Sequence, residues 1–226
     1  MSLVGSLHAQ STDAEFVLLA SKDSSSFAAA PVTWTLDFDS PSKGIGPLTN
    51  YDGKLYAGGA IDQSDGHLYV YDGATWADTN LSSRVGVTVD MVQSLQVFNG
   101  RLYIGVRVNT GGHTYARVYY YDGTIFVEDL SKTGYSGWSG IEDLVVHNNA
   151  LYAANGSSIG EVYQRNGDHD WVTVGSAIEP ASPARALASF NGSLYAGTGA
   201  SGNQAKVWRW DGATWVLAKN LEKPCE

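Results

Sequence analysis

The sequence predicts an all-β fold, a β-propeller, on three observations: a repeated five-residue string, recurring turn dipeptides, and almost no helical periodicity. The string is LYAGG at 55–59, LYIGV at 102–106, LYAAN at 151–155 and LYAGT at 194–198. Its tyrosines, Tyr56, Tyr103, Tyr152 and Tyr195, are 47, 49 and 43 residues apart, the spacing of an array of supersecondary units. Gly supplies 26 of 226 residues, Trp and Tyr together 20, and Met only 2, a mix that suits short strands joined by tight turns.

Each unit unfolds in a fixed order. A turn dipeptide precedes the string: Asp52-Gly53, Asn99-Gly100, Asn148-Asn149 or Asn191-Gly192. Such dipeptides between alternating apolar residues are the strongest short hairpin signal. A second phrase follows the string: YVYDGATW at 69–76, YYYDGTIF at 119–126, YQRNGDHDW at 163–171 and WRWDGATW at 208–215. A further hairpin is expected at the Asp-Gly of this phrase. Two hairpins and the connection between them make a four-stranded antiparallel meander. A lone sheet with apolar residues on both faces cannot bury them, whereas radial stacking of several can.

Four blades are expected at about 46–79, 92–130, 141–175 and 184–218, and a degraded fifth at 4–37. Trp34 precedes Trp76 by 42 residues, near the later intervals of 50, 45 and 44 to Phe126, Trp171 and Trp215. Val4-Gly-Ser-Leu7 echoes Val92-Gln-Ser-Leu95, Ile141-Glu-Asp-Leu144 and Ala184-Arg-Ala-Leu187, and FVLLAS (16–21) stands in for the string. The expectation is a single domain over 1–226, with five four-stranded blades around a central channel. A fragment of a six- or seven-bladed ring is the alternative. Trp76, Trp171 and Trp215 are expected to be packing residues.

Gly58-Gly59 followed by Tyr69 and, seven residues later, Trp76 resembles the kelch repeat; Tyr119/Phe126 and Trp208/Trp215 keep that interval. The resemblance implies a propeller fold, which serves both interaction domains and enzymes. DGATW is also similar to the Asp-box of sialidases, but its Asp and Gly are adjacent where the box separates them by one residue. The arginines at 84, 101, 107, 117, 165, 185 and 209 do not recur at one blade position, so the cluster needed for a substrate carboxylate is not expected.

The net charge of −9 argues against nucleic acid or an anionic membrane surface as partner, and no stretch approaches the length of a membrane span. The one cysteine, Cys225, offers no disulfide framework, and MSLVGSLHAQ lacks the basic segment of a secretory leader. The compartment stays open, secreted or cell-surface if a leader precedes this chain. Histidines 8, 67, 113, 147 and 169 never fall at ligand spacing, and DQSDG at 62–66 lacks the spacing of a calcium loop, so no metal or cofactor is expected. Gly197-Thr-Gly199-Ala-Ser-Gly202 matches a dinucleotide fingerprint but leads into KVWRW, a strand rather than a helix. Gly156-Ser-Ser158-Ile-Gly160 matches a nucleophile elbow but lies between two strands.

In a four-strand meander the first and third turns share one end of every blade, and the second connection and the exit share the other. The dipeptide turns make the first end uniform. Function is expected at the second end, where segments vary, since binding residues concentrate on loops held by a rigid scaffold. GYSGWSG (134–140) puts Tyr135 and Trp138 in a glycine-rich loop, and Arg107, His113 and Tyr115 fall in the longest within-blade connection, 107–116. Gln93, Glu142 and Arg185 share one innermost-strand position, two before Leu95, Leu144 and Leu187, with Glu142 and Arg185 a candidate pair. These residues imply a non-catalytic module that binds a glycan or a protein. The alternative is a glycoside hydrolase, which needs two carboxylates ~5–10 Å apart across the scissile bond. Asp62, Asp90, Glu142 and Asp143 are its candidate sources.

Overall fold

All four repeated strings lie in strands. In the computed structural model, residues 4–8, 15–19, 36–42, 44–59, 66–133, 140–178, 182–199 and 205–220 are described. The chain divides into two units, Met1–Asp39 and Ser40–Glu226. The first contains one antiparallel hairpin, β1 (Val4–His8) with β2 (Glu15–Leu19), pairing Val4 with Leu19 and Leu7 with Phe16. Trp34 and most of the remainder of the expected 4–37 blade lie outside the described residues.

Ser40–Glu226 holds four four-stranded antiparallel sheets, each a simple meander. The first comprises β3 (Ile45–Tyr51), β4 (Lys54–Gly59), β5 (Leu68–Tyr71) and β6 (Trp76–Asp78). After a short helix, α1 (Leu81–Val85), come β7 (Thr88–Phe98), β8 (Arg101–Thr110), β9 (His113–Tyr121) and β10 (Phe126–Thr133). The third sheet is β11 (Ile141–His147), β12 (Ala150–Asn155), β13 (Val162–Gly167) and β14 (Asp170–Thr173). The fourth is β15 (Ala184–Phe190), β16 (Ser193–Thr198), β17 (Lys206–Trp210) and β18 (Trp215–Asn220). The opening strands β3, β7, β11 and β15 neighbour one another in turn, as propeller blades do.

The turn chemistry explains the meanders. Asp52/Gly53, Asn99/Gly100, Asn148/Asn149 and Asn191/Gly192 all have positive φ at both residues, as a two-residue hairpin turn matched to strand twist requires. The second hairpins differ from expectation. Of Asp72-Gly73, Asp122-Gly123 and Asp211-Gly212, only the glycines have positive φ, and each turn is a four-residue loop. The reason is the aspartate side chain. Asp72 Oδ1 accepts the N–H groups of Thr75 at 2.8 Å and Ala74 at 2.9 Å, and Asp122 and Asp211 repeat the pattern. Those backbone hydrogen bonds hold all three carboxyls below the ordinary range. In the third sheet Asn166-Gly167 runs on in the strand, and the turn falls at Asp168-His169, with His169 at φ 60°.

Three apolar clusters hold the array, one between each consecutive pair of sheets. The string's Leu102 and Tyr103 are almost fully buried, as are Leu151 and Leu194. Its fourth position is Gly58, Gly105, Ala154 or Gly197, and in the first two sheets the reason is close approach. A Cβ on Gly58 would sit 2.6 Å from Val92 Cγ1 of the next sheet, and one on Gly105 would sit 2.7 Å from Ile141 Cγ2. Polar contacts also run between sheets: Trp171 Nε1 donates to Asp129 Oδ2 at 2.9 Å and Trp215 Nε1 to the Val174 carbonyl at 3.0 Å. Trp171 is buried, whereas Trp76 and Trp215 are half-buried and stack or tilt against Tyr71 and Trp210 across their turns.

Candidate functional site

The opening strand of each four-stranded sheet carries at least one extra residue near its start. Val92 faces Val106 and Ser94 faces Gly105, so Gln93 is left over; Glu142 and Arg185 are left over in the same way in β11 and β15. The first sheet has its irregularity between Ile45 and Leu48. A β-bulge releases a side chain from the alternation of the ladder and re-aims it. The shared position of Gln93, Glu142 and Arg185 is therefore a bulge position, which brings an amide, a carboxylate and a guanidinium to one end of consecutive strands.

These three groups meet. Arg185 Nη1 lies 3.6 Å from Glu142 Oε1, and the Gln93 side chain is close enough to favour the charged form of the same carboxylate. Arg185 Nε donates to the Gly199 carbonyl at 3.0 Å. The Arg185 side chain keeps 54% of its exposure and Glu142 20%, so the pair opens to solvent on the arginine side. Below it lies Arg107, whose Nε is 3.3 Å from Asp90 Oδ2, both side chains almost wholly buried. Asp90 too is left out of register, between Val89 and Met91. Small residues admit this packing: a Cβ on Gly156 would sit 2.6 Å from Glu142 Cγ, and one on Gly140 would sit 2.8 Å from Gln93 Cδ. Gly156 N–H donates to the Gly140 carbonyl at 2.9 Å, fixing Gly140 beside the cluster.

Burial pushes the Glu142 carboxyl above its ordinary value, against the opposing pull of Arg185, the Gln93 side chain and Arg107. Burial also raises Asp143, whose carboxylate accepts the backbone N–H of Leu187 at 2.7 Å and of Leu144 at 2.9 Å. Asp143 thereby ties β11 to β15. Ser94 ties β7 to β11 from the same strand position, donating to the Ile141 carbonyl at 3.0 Å.

A folded-state value above the unfolded one means that Glu142 favours folding below the ordinary carboxylate range. That contribution is lost as pH rises through the raised value. Glu142→Gln lacks this loss, so its melting temperature should climb relative to the parent as pH rises above about 4. A pH-independent difference between the two melting curves would refute the assignment.

The expected 107–116 loop is not a loop. Residues 107–110 and 113–116 extend β8 and β9, pairing Arg107 with Ala116 and Thr110 with His113 around a Gly111-Gly112 turn. Val106, Arg107 and Val108 are all buried and the ladder pairs run on to Thr110 and His113, so the segment is a continued hairpin. Arg107 sits in a strand against Asp90, His113 is exposed at the hairpin tip, and Tyr115 is half-buried with the Arg117 guanidinium 5.6 Å from its ring centre. Tyr135, Trp138 and Asp62 lie outside the described residues. Among the described residues no three His, Cys, Asp or Glu side chains are grouped to hold a metal, and no helix is long and apolar enough to cross a membrane. The sequence pattern does not reveal the Asp90–Arg107 pair, because neither residue recurs from blade to blade.

No protein-family model and no curated protein matches the chain. Among solved structures, a Trypanosoma rangeli sialidase matches with TM-score 0.55 at 12% identity, over 93% of this chain and 44% of that one. Its complex with sialic acid matches with TM-score 0.53 at 13% identity, over 92% of this chain and 43% of that one. The chain thus spans less than half the length of these sialidases. An Aleuria aurantia lectin in complex with a fucoside aligns at TM-score 0.48 and 15% identity, over 92% of this chain and 69% of that one. Together with the four antiparallel meanders, the sialidase likeness identifies the fold as an all-β propeller.

Proposed function

We propose that the chain is a non-catalytic glycan-binding module whose ligand sits at the bulge end of the sheets. Supporting this is the cluster of Gln93, Glu142 and Arg185, which opens to solvent on the arginine side and there presents planar polar groups that can engage neighbouring hydroxyls in pairs. Tyr135 and Trp138 supply stacking faces from the loop that ends at Gly140, and His113 and Tyr115 flank the site from the β8–β9 hairpin. Arg107 acts from beneath, holding Asp90. In this reading residues 4–37 form a fifth blade of one 1–226 domain of kelch-like repeats. That the similar sialidase binds sialic acid belongs to that protein; the ligand class here rests on the chemistry of the cluster.

The hydrolase reading is disfavoured by the partners of the carboxylates. Among the described residues Asp90 is engaged by Arg107, Glu142 by Arg185 and Gln93, and Asp143 by two backbone N–H groups. A hydrolase needs an acid and a second carboxylate facing each other across the substrate.

The test is a glycan and protein-partner screen, followed by Trp138→Ala on any hit. Loss of a stacking anchor should weaken binding at least about tenfold. Asp122→Ala, at the opposite end, should leave affinity unchanged. The wrong end has been chosen if Trp138→Ala binds normally while a folded Asp122→Ala does not. Glycosidase turnover abolished by Glu142→Gln would instead establish the hydrolase.

A further inference from the structure

A second polar cluster lies on the first four-stranded sheet, with no residue shared with the bulge end. His67, just before β5, reaches Asp78 at the end of β6, with His67 Nδ1 2.7 Å from Asp78 Oδ2. Asp78 Oδ1 is separately occupied, accepting the Asn80 N–H at 2.8 Å. The imidazole is stacked on Tyr69, ring centres 5.6 Å apart at 14°, and the Tyr69 hydroxyl is bonded to Ser42 at 2.8 Å. The ring is therefore held on one face and at one nitrogen.

The second sheet shows what this position needs for structure alone. Tyr119 faces Glu128 as Tyr69 faces Asp78, and Arg117, two residues before Tyr119, pairs with Glu128 at 2.8 Å. Arginine has only donors. Histidine keeps the cross-strand pair through Nδ1 and adds what arginine cannot, an acceptor at Nε2.

His67 and Asp78 line a cleft of about 150 Å³, together with Ser82 and Ser83 of α1, over a floor of the buried Leu81 and Val89. An apolar floor with a few convergent polar groups is the form of a small-molecule site, here well under the ~300 Å³ of drug-sized pockets. Ser82 Oγ accepts the Val89 N–H at 3.1 Å, which leaves its O–H available as a donor. Among the described residues no lysine or arginine lines the cleft, and a carboxylate does, so an anion has no counter-charge there.

We infer that this cleft is a binding site for a small neutral polyol or monosaccharide, with hydroxyl groups donating to His67 Nε2 and Asp78 and accepting from Ser82. It is separate from the bulge-end site and does not depend on it.

The experiment is an NMR titration of the full chain with glycerol, myo-inositol and glucose, read at the His67 ring signals and the backbone amides of 80–88, with inorganic phosphate as the anionic probe. A saturable shift with at least one neutral probe and none with phosphate is expected. His67→Phe, which keeps a ring on Tyr69 but removes both nitrogens, should weaken binding at least about tenfold. Ser83→Tyr, a change at an exposed position that fills the cleft without touching the pair, should do the same, while Trp138→Ala should leave it intact. The inference is overturned by the absence of any saturable shift, by phosphate saturating the same signals, or by undiminished binding in both cleft variants.

Discussion

Replacing Asp129 with alanine should destabilise the protein by about 3–5 kcal/mol, the cost of removing one partner of a buried ion pair. The Asp129 side chain is fully buried between the second and third sheets and serves three donors. Arg165 Nε reaches it at 2.7 Å, the His169 backbone N–H at 2.8 Å and Trp171 Nε1 at 2.9 Å. Alanine leaves the His169 and Trp171 N–H groups without their acceptor and the nearly buried Arg165 guanidinium with only the exposed Asp168 as a carboxylate partner, and each buried orphan costs about 1–3 kcal/mol. At roughly 2–4 °C per kcal/mol for a chain of this size, the melting temperature should fall by about 6–20 °C. Asp129→Asn keeps an acceptor oxygen while losing the charge, and should lie between the parent and alanine. A shift in Asp129→Ala no larger than that of a neutral surface substitution, within about 0.5 kcal/mol, would show that the sheets do not depend on this node.

The string tyrosines offer a graded experiment on one residue type at one strand position. Tyr103 keeps 1% of its exposure and is ringed by Phe98 and Tyr120, at 6.1 and 6.0 Å between centres, with the Arg165 guanidinium 5.3 Å from its own centre. Tyr103→Ala should cost about 3–5 kcal/mol, as large aromatic truncations in cores do. Tyr195, in the fourth sheet, is only half-buried, and its one described ring neighbour is Phe190 at 6.4 Å, itself 62% exposed. Tyr195→Ala should cost less than half as much. Chemical denaturation of the two variants gives the comparison, and equal losses would mean that sheet position does not govern the contribution of the string.

The repeat was legible because its signals are local. Asn99-Gly100 needs positive φ at two adjacent residues, and both have it. The equivalence of Gln93, Glu142 and Arg185 was also legible, since a bulge keeps its distance from the leucine that follows. What escaped the sequence depended on side chains acting at a distance or on competing local cues. Asp72-Gly73 looks like Asp52-Gly53, but the Asp72 carboxylate captures two N–H groups and opens a longer turn. The polar, glycine-bearing run RVNTGGHTYA suggested a loop; the alternation of Val106 and Val108 with Arg107 and Asn109 was the contrary signal, and the ladder follows it. Helix α1 has five residues and only Leu81 buried, too short to leave a period. Asp129 is one acid in EDLSKT, and nothing in that run announces that three donors from another sheet converge on it.

The bulges have one more consequence. A residue left out of the ladder forms no register pair, so its identity is uncoupled from the pairing that builds the sheet. Positions 93, 142 and 185 can therefore be varied together, as a small combinatorial library, while Leu95, Leu144 and Leu187 nearby keep the strands in register. The fold in this sense comes with a built-in set of interchangeable sockets, and changing what this end of the molecule recognises should require three codons rather than a new scaffold.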